Sequence, residues 1–307
     1  MLKQISFVCL IFTFAIGILS VEAQEQTKIQ PIGEEAYQVL LWFFEYDKDI
    51  PLDARVVEKA ELENCVREKI VFTGKRNNRV PGYIAFPKKG KPPYPCVLLL
   101  HGSTASKSVW WKDDFHDDLG YEWKYIQIAS SLLSEGYAVL ALDAPYHGER
   151  TASNDYEPPD NLRGTDYWWN DTMVESTIEY RRLLDYLATR TDIDSTRIGM
   201  IGQSMGGMMT FMLTAIEPRV QVSVATVAPP SFSTYWGPSN AYNFATHITC
   251  PFLMINGRKD ESYTIDSSEQ LYDLIKSPTK NIIWYNSGHN LPIEHVEDAV
   301  NWFKEHL

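Results

Sequence analysis

Gly202-Gln203-Ser204-Met205-Gly206 sets one serine between two glycines, after the apolar run Arg197 to Ile201 and before the apolar stretch Met208 to Ile216. A strand that turns into a helix around one serine exposes the hydroxyl at the carboxyl edge of a sheet, and small residues on either side let the backbone turn without collision. A serine hydroxyl becomes an effective nucleophile only when a base removes its proton during attack. His289, in Ser287-Gly288-His289-Asn290, is the expected base, because imidazole exchanges protons near neutral pH. Asp260, closing Asn256-Gly257-Arg258-Lys259-Asp260, is the expected acid that would hold the imidazole in one tautomer and stabilise the imidazolium. Glu261 and Asp266 are its rivals, and Asp266 is expected to cap the helix that starts there. A tetrahedral oxyanion needs fixed donors. The backbone N–H of Met205 is the expected first donor and that of Ser103, in His101-Gly102-Ser103-Thr104, the second, with Gly102 and Thr104 as alternatives.

These residues need a frame that brings four chain segments to one edge. Ala36, Val39, Leu40, Phe43 and Phe44 fall at nearly helical spacing, which predicts an amphipathic helix over 33–47. Residues 64–73 and 79–86 read as strands joined by the turn Gly74 to Asn78. From Pro95 onward, short apolar runs alternate with helical stretches. Strands are predicted over 96–100, 138–142, 197–201, 220–227, 252–255 and 281–285, and helices over 123–135, 171–190, from 205, over 266–276 and over 295–306. The pattern is that of an α/β fold, a mostly parallel central sheet of about eight strands with helices on both faces. Ligands of such sheets bind beyond the carboxyl ends of the strands, where Ser103, Ser204, Asp260 and His289 all fall.

The 307 residues, 44% of them hydrophobic, suffice for one large core. A formal net charge of −12 disfavours nucleic acid and anionic membrane surfaces as partners. Residues 1–23 read as a secretory signal, with Lys3, an apolar core from Ile5 to Leu19 and cleavage after Ala23. The core is too short to span a bilayer. A periplasmic or extracellular protein with no membrane span after signal removal is expected. Residues 24–307 then form a single domain, with 24–63 as a helical extension packed on it. Cys65, Cys96 and Cys250 read as structural thiols, and an odd number cannot all pair within one chain. The acidic stretch Asp113 to Asp118 reads as a solvated loop. No metal-ligand spacing occurs and the chemistry calls for no cofactor. The sequence leaves the oligomeric state open.

Several segments together resemble the α/β-hydrolase superfamily, and within it the dienelactone hydrolase and prolyl-oligopeptidase-like serine esterases, over about residues 80–307. They are Leu99 to Gly102, Ala141 to Arg150, Asp194 to Gly207, Gly257 to Asp260, and Gly288-His289. The resemblance implies a serine hydrolase with Ser204, Asp260 and His289 at the triad positions and Ser103 and Met205 at the oxyanion positions. It also implies a structural role for His147, tied to its loop backbone. Long segments over 103–122, 144–170 and 228–249 would overhang the edge, and their Trp110, Trp168, Trp169 and Trp236 are the expected substrate-binding aromatics. Hydrolysis of a small-molecule or glycan ester, of the acetyl or feruloyl type, is the leading expectation. Amide or peptide hydrolysis is the second, and a catalytically silent binding protein on the same fold the third.

Overall fold

A computed structural model describes residues 28–112, 124–151, 162–231 and 239–307, with the side chains of 162–168 also left undescribed. The predicted signal segment and the acidic stretch Asp113 to Asp118 lie outside the described residues. Among them run strands β1 (Arg55–Glu61), β2 (Cys65–Thr73), β3 (Arg79–Pro87), β4 (Tyr94–Leu100), β5 (Ala138–Leu142), β6 (Ile193–Gln203), β7 (Val220–Thr226), β8 (Phe252–Gly257) and β9 (Lys280–Tyr285). The helices are α1 (Glu34–Leu41), α2 (Tyr125–Ser134), α3 (Leu162–Leu187), α4 (Met205–Ile216), α5 (Tyr242–Ala245), α6 (Ile265–Leu274) and α7 (Glu294–His306). None of them is long and apolar enough to cross a membrane.

The strands form one sheet in the order β1-β2-β3-β5-β4-β6-β7-β8-β9. From β5 through β9 every pairing is parallel, while β1, β2 and β3 pair antiparallel and β3 joins β5 antiparallel. The parallel half is apolar on both faces. Cys96, Leu98 and Leu100 of β4 enter one cluster with α1, α3 and α4, while Val97 and Leu99 enter another with α2 and α7. Alternate side chains of a strand point to opposite faces, so this continuous apolar run is what coverage on both sides requires.

The sheet has one strand more than the pattern predicts. In β1, Val56 and Val57 lie exposed among Arg55, Glu58, Lys59 and Glu61, and the register slips between Val56 and Glu58. An edge strand that carries charges and a bulge shows no hydrophobic alternation, and those same features hinder pairing with another chain. The helix expected over 33–47 is shorter, ending at Leu41 and continuing as a 3-10 turn over Trp42–Phe44. Arg182 of α3, buried, donates to the carbonyls of Thr73, Asp47 and Ile50 and so binds the N-terminal segment to the sheet.

A buried charge cluster lies under the loop that follows β5. Arg150 meets Glu179 through two hydrogen bonds of 2.6 and 2.9 Å, with Glu175 at 3.4 Å, and donates to the Asp143 carbonyl at 3.1 Å. The Glu179 side chain is 1% exposed, so water cannot take over its charge if the arginine is removed. Arg150→Met is expected to cost about 3–5 kcal/mol, the usual penalty for stranding one partner of a buried pair. Arg150→Met with Glu179→Leu should recover most of that loss. Urea unfolding midpoints of the two variants would check both statements.

Candidate active site

The turn at Ser204 is a product of close packing. A Cβ on Gly202 would lie 2.1 Å from the Gly206 carbonyl oxygen, and one on Gly206 would lie 2.1 Å from the Leu100 carbonyl oxygen. Only glycine lets α4 start this near the ends of β6 and β4. The contact drives Ser204 to φ 56° and ψ −113°, a left-handed conformation that a non-glycine residue holds only when its surroundings enforce it. The Ser204 N–H donates to the Thr226 carbonyl at 2.9 Å and its carbonyl accepts from Met208 at 3.0 Å, which locks the turn. Its hydroxyl projects beyond the carboxyl edge of the sheet.

Two loops carry the other polar groups. Those after β8 and β9 are joined through their backbones, with Arg258 N–H on Tyr285 O and Lys259 N–H on Ser287 O, both 2.8 Å. His289 spans them: its Nε2 is 2.9 Å from Ser204 Oγ and its Nδ1 is 2.6 Å from Asp260 Oδ2. The other carboxylate oxygen of Asp260 accepts from Ser262 N–H at 2.8 Å. Burial alone would raise the Asp260 pKa. Hydrogen bonding and charge from His289, with hydrogen bonds from Ser262 and Tyr263, outweigh it and hold the carboxyl below the ordinary aspartate value. Glu261 and Asp266 are exposed, and the Nδ1 of the histidine is taken by Asp260. Asp266 is not the helix cap either. Thr264 caps α6 in a reciprocal pair with Ser267, and Asp266 sits in the first turn, accepting from Gln270. A cavity of about 380 Å³ opens beside His289, lined by residues 259–262 and 288–290.

The loop after β4 lies across the elbow. Gly102 N–H donates to the Tyr125 hydroxyl at 3.1 Å, so this alternative to Ser103 is already committed. Met205, the first residue of α4, has one of the N–H groups that a helix leaves unpaired at its start. Neither its N–H nor that of Ser103 has a partner among the described residues. The buried His101 ring fixes the loop from beneath. Ala144 N–H donates to its Nε2 at 3.1 Å, so the proton resides on Nδ1, 2.8 Å from the Gly102 carbonyl. Burial, reinforced by neighbouring His147, pushes the His101 pKa down to about 3 and keeps the ring neutral. His147 itself touches the Pro145 carbonyl at 2.7 Å and the Ser103 carbonyl at 2.8 Å, tied to loop backbone as the resemblance implies.

The expected aromatics are placed differently. Trp110 is fully buried and packs edge-on against Tyr125, 4.7 Å between centroids, so it belongs to the core and not to a substrate wall. Trp169 is buried with α3 in the opposite cluster, another correction. Both sit in segments rich in polar residues, where sequence spacing cannot tell an inward from an outward aromatic. Trp168 lies on α3 with its side chain outside the description, and Trp236 lies outside the described residues. Tyr125 and the pair Lys107–Asp143 went unassigned in the sequence reading. Buried Lys107 bridges Asp143 and Glu149 through Nζ at 2.6 Å each, while its own N–H and that of Glu149 donate to Asp143 at 2.8 and 3.0 Å. The three bonds from Lys107 tie the loop after β4 to the loop after β5, and the bond from Glu149 N–H closes the second loop on itself.

The profile of the dienelactone hydrolase family matches residues 115–304. A Bacillus subtilis (strain 168) protein named as a hydrolase, YtaP, is 29% identical over 174 residues, covering 57% of this chain and 56% of its own length. Acetyl esterase Axe7A of Xylanibacter ruminicola is 25% identical over 261 residues, 76% of this chain and 57% of that protein. The chain thus spans little more than half the length of either relative. Among solved structures, acetyl xylan esterase 1 from Thermoanaerobacterium sp. JW/SL YS485 superposes with a TM-score of 0.72 at 18% identity, over 91% of this chain and 96% of that one, which shows the shared α/β-hydrolase fold.

Because the Gly206 contact is backbone against backbone, nothing flexible can yield to an added methyl. Gly206→Ala is expected to lower stability by about 3 kcal/mol, the upper end of typical overpacking costs. A urea unfolding midpoint close to that of the native chain would contradict this reading of the turn.

Proposed function

Because this chain belongs to the dienelactone hydrolase family, we propose that it is a serine esterase working through Ser204, His289 and Asp260. The observation that carries the reading is the single imidazole bonded at 2.9 Å to a serine held at positive φ at the sheet edge and at 2.6 Å to a buried carboxylate. In this reading Ser204 Oγ attacks the ester carbonyl carbon as His289 Nε2 takes its proton. The carbonyl π electrons move onto oxygen, where the N–H groups of Met205 and Ser103 receive the charge. The oxyanion collapses, the C–O bond to the alcohol breaks, and His289 returns the proton to the departing oxygen. Water then attacks the acyl-enzyme with His289 again as base, releasing the acid and restoring Ser204. Asp260, ionised because its donors hold its pKa low, faces the imidazolium in both steps.

The substrate proposed is an acetylated carbohydrate. The acetyl esterase relative and the acetyl xylan esterase fold neighbour support it. The signal-like residues 1–23 fit it as well, since they would carry the protein out to polymeric glycans.

Ser204→Ala should abolish turnover of p-nitrophenyl acetate and remove labelling by a fluorophosphonate. Asp260→Asn should lower kcat by roughly 10⁴, the penalty known for a triad left with the wrong tautomer. Retained labelling in Ser204→Ala would show that another nucleophile acts. An ester-against-anilide comparison separates esterase from amidase. Acetate release from acetylated xylo-oligosaccharides tests the carbohydrate reading, and activity confined to small artificial esters would overturn it.

A further inference from the structure

The N-terminal segment presents an aromatic face that its own folding does not explain. Tyr37, Leu40 and Phe44 are buried, with Phe44 edge-on against Phe244 at 5.5 Å, so this segment is firmly anchored. In the same stretch Trp42 is 67% exposed and its neighbour Phe43 is 53% exposed. Burying such side chains is worth about 1.5–3 kcal/mol each, a gain the folded chain leaves unused. An exposed apolar patch with a polar rim marks an interaction surface.

Trp42 and Phe43 form one wall of a cavity of about 480 Å³, completed by Lys75, Arg76, Asn170, Asp171 and Val174. That size lies within the range of ligand sites. Arg76 is engaged by carboxylates, bonding Asp171 at 2.5 Å and meeting Glu175 at 3.4 Å. What remains is a pair of exposed aromatic rings beside planar donors and acceptors: a guanidinium, a carboxylate and an amide. Pyranose rings have that complementary chemistry, with C–H faces that stack on aromatics and hydroxyls that bond in the ring plane.

The cavity also lies on the relevant side of the molecule. Gly82 of β3 pairs with Leu142, the last residue of β5, and the two strands run antiparallel. The turn Gly74–Asn78, which precedes β3 and carries Lys75 and Arg76, therefore projects beyond the same edge as Ser204. From β3 to β6 there are three strand spacings, about 14 Å at ~4.8 Å each. An acylated monosaccharide at Ser204 cannot cover that span, whereas an oligosaccharide can. Tyr146 links the two places, its hydroxyl donating to Asp171 at 3.1 Å just before His147 touches the Ser103 carbonyl.

We infer that Trp42 and Phe43, with Arg76 and Asp171, form a distal platform that binds a neutral pyranose chain whose acylated unit lies at Ser204. The inference rests on the glycan-ester reading above and names where the rest of that polymer sits. Calorimetric titration of the full chain with unacetylated xylohexaose, mannohexaose and cellohexaose tests it, against Trp42→Ala/Phe43→Ala and against Trp42→Ala alone. Circular dichroism and Tm check that the variants fold, and the high exposure of Trp42 makes its single replacement the safer of the two. Saturable binding of at least one hexaose, weakened tenfold or more in both variants, is expected. Binding of none, or equal binding by native and variant chains, overturns the platform. So does a dimer in gel filtration that dissociates in the variants while sugar affinity stays the same, because a second copy is then the occupant. Hexaose binding that depends on Trp42 without acetate release from acetylated oligosaccharides would uphold the platform and overturn the esterase substrate instead.

Discussion

Helix α4 begins so close to the end of β4 that the two backbones leave no room for a single methyl group. The rest of the site depends on that approach. It forces Ser204 into a left-handed conformation, aims its hydroxyl beyond the sheet and brings the unpaired N–H of Met205 alongside the loop that carries Ser103. The strain is held by the sheet itself, through the bond from Ser204 to the end of β7. A turn enforced by backbone contact and by the packed core holds the Ser204 hydroxyl and the Met205 N–H in fixed positions, as the proposed chemistry requires.

A second anchoring point lies one strand away. The Asp143 carboxylate is wholly buried, yet it takes bonds from the Lys107 ammonium and from two backbone N–H groups. Such a charge would be prohibitively costly if left bare, and its donors come from loops far apart in sequence. Each loop is thus held by the need to satisfy the other's charge. The rings of His101 and His147 add further contacts beside this pair, joining the backbone at Gly102, Ser103, Ala144 and Pro145.

Much of this was legible in the residues. The strand ends carrying Ser204 and Asp260 were readable because β6 and β8 end in continuous apolar runs, as strands covered on both faces do, whereas His289 follows the half-buried edge strand β9 and stood out through its Gly288-His289 turn. Elements whose stability is not local were harder to read. β1 is held by pairing with β2 and not by burial, so its charged, bulged sequence looks like a loop. The partnership of Lys107 with Asp143 joins positions 36 apart and leaves no periodic trace. Trp110 and Trp169 looked like substrate walls because they occur in strand-end segments, yet helical turns there rotate them into the core. Phe43, with Ala36 and Val39, belongs to the apolar face that the spacing predicts for the first helix, yet these lie exposed while Tyr37, Leu40 and Phe44 face the core, because only the backing of the helix decides which side is inward.

The sheet joins two halves along one five-residue strand. On one side of β5 lie the parallel strands whose ends carry Ser204, Asp260 and His289, and on the other the antiparallel hairpin whose tip helps to form the distal cavity. Lengthening or recolouring that hairpin changes no register in β6 to β9. Substitutions in that hairpin turn therefore reshape the proposed distal platform without disturbing the strands from which the proposed triad extends.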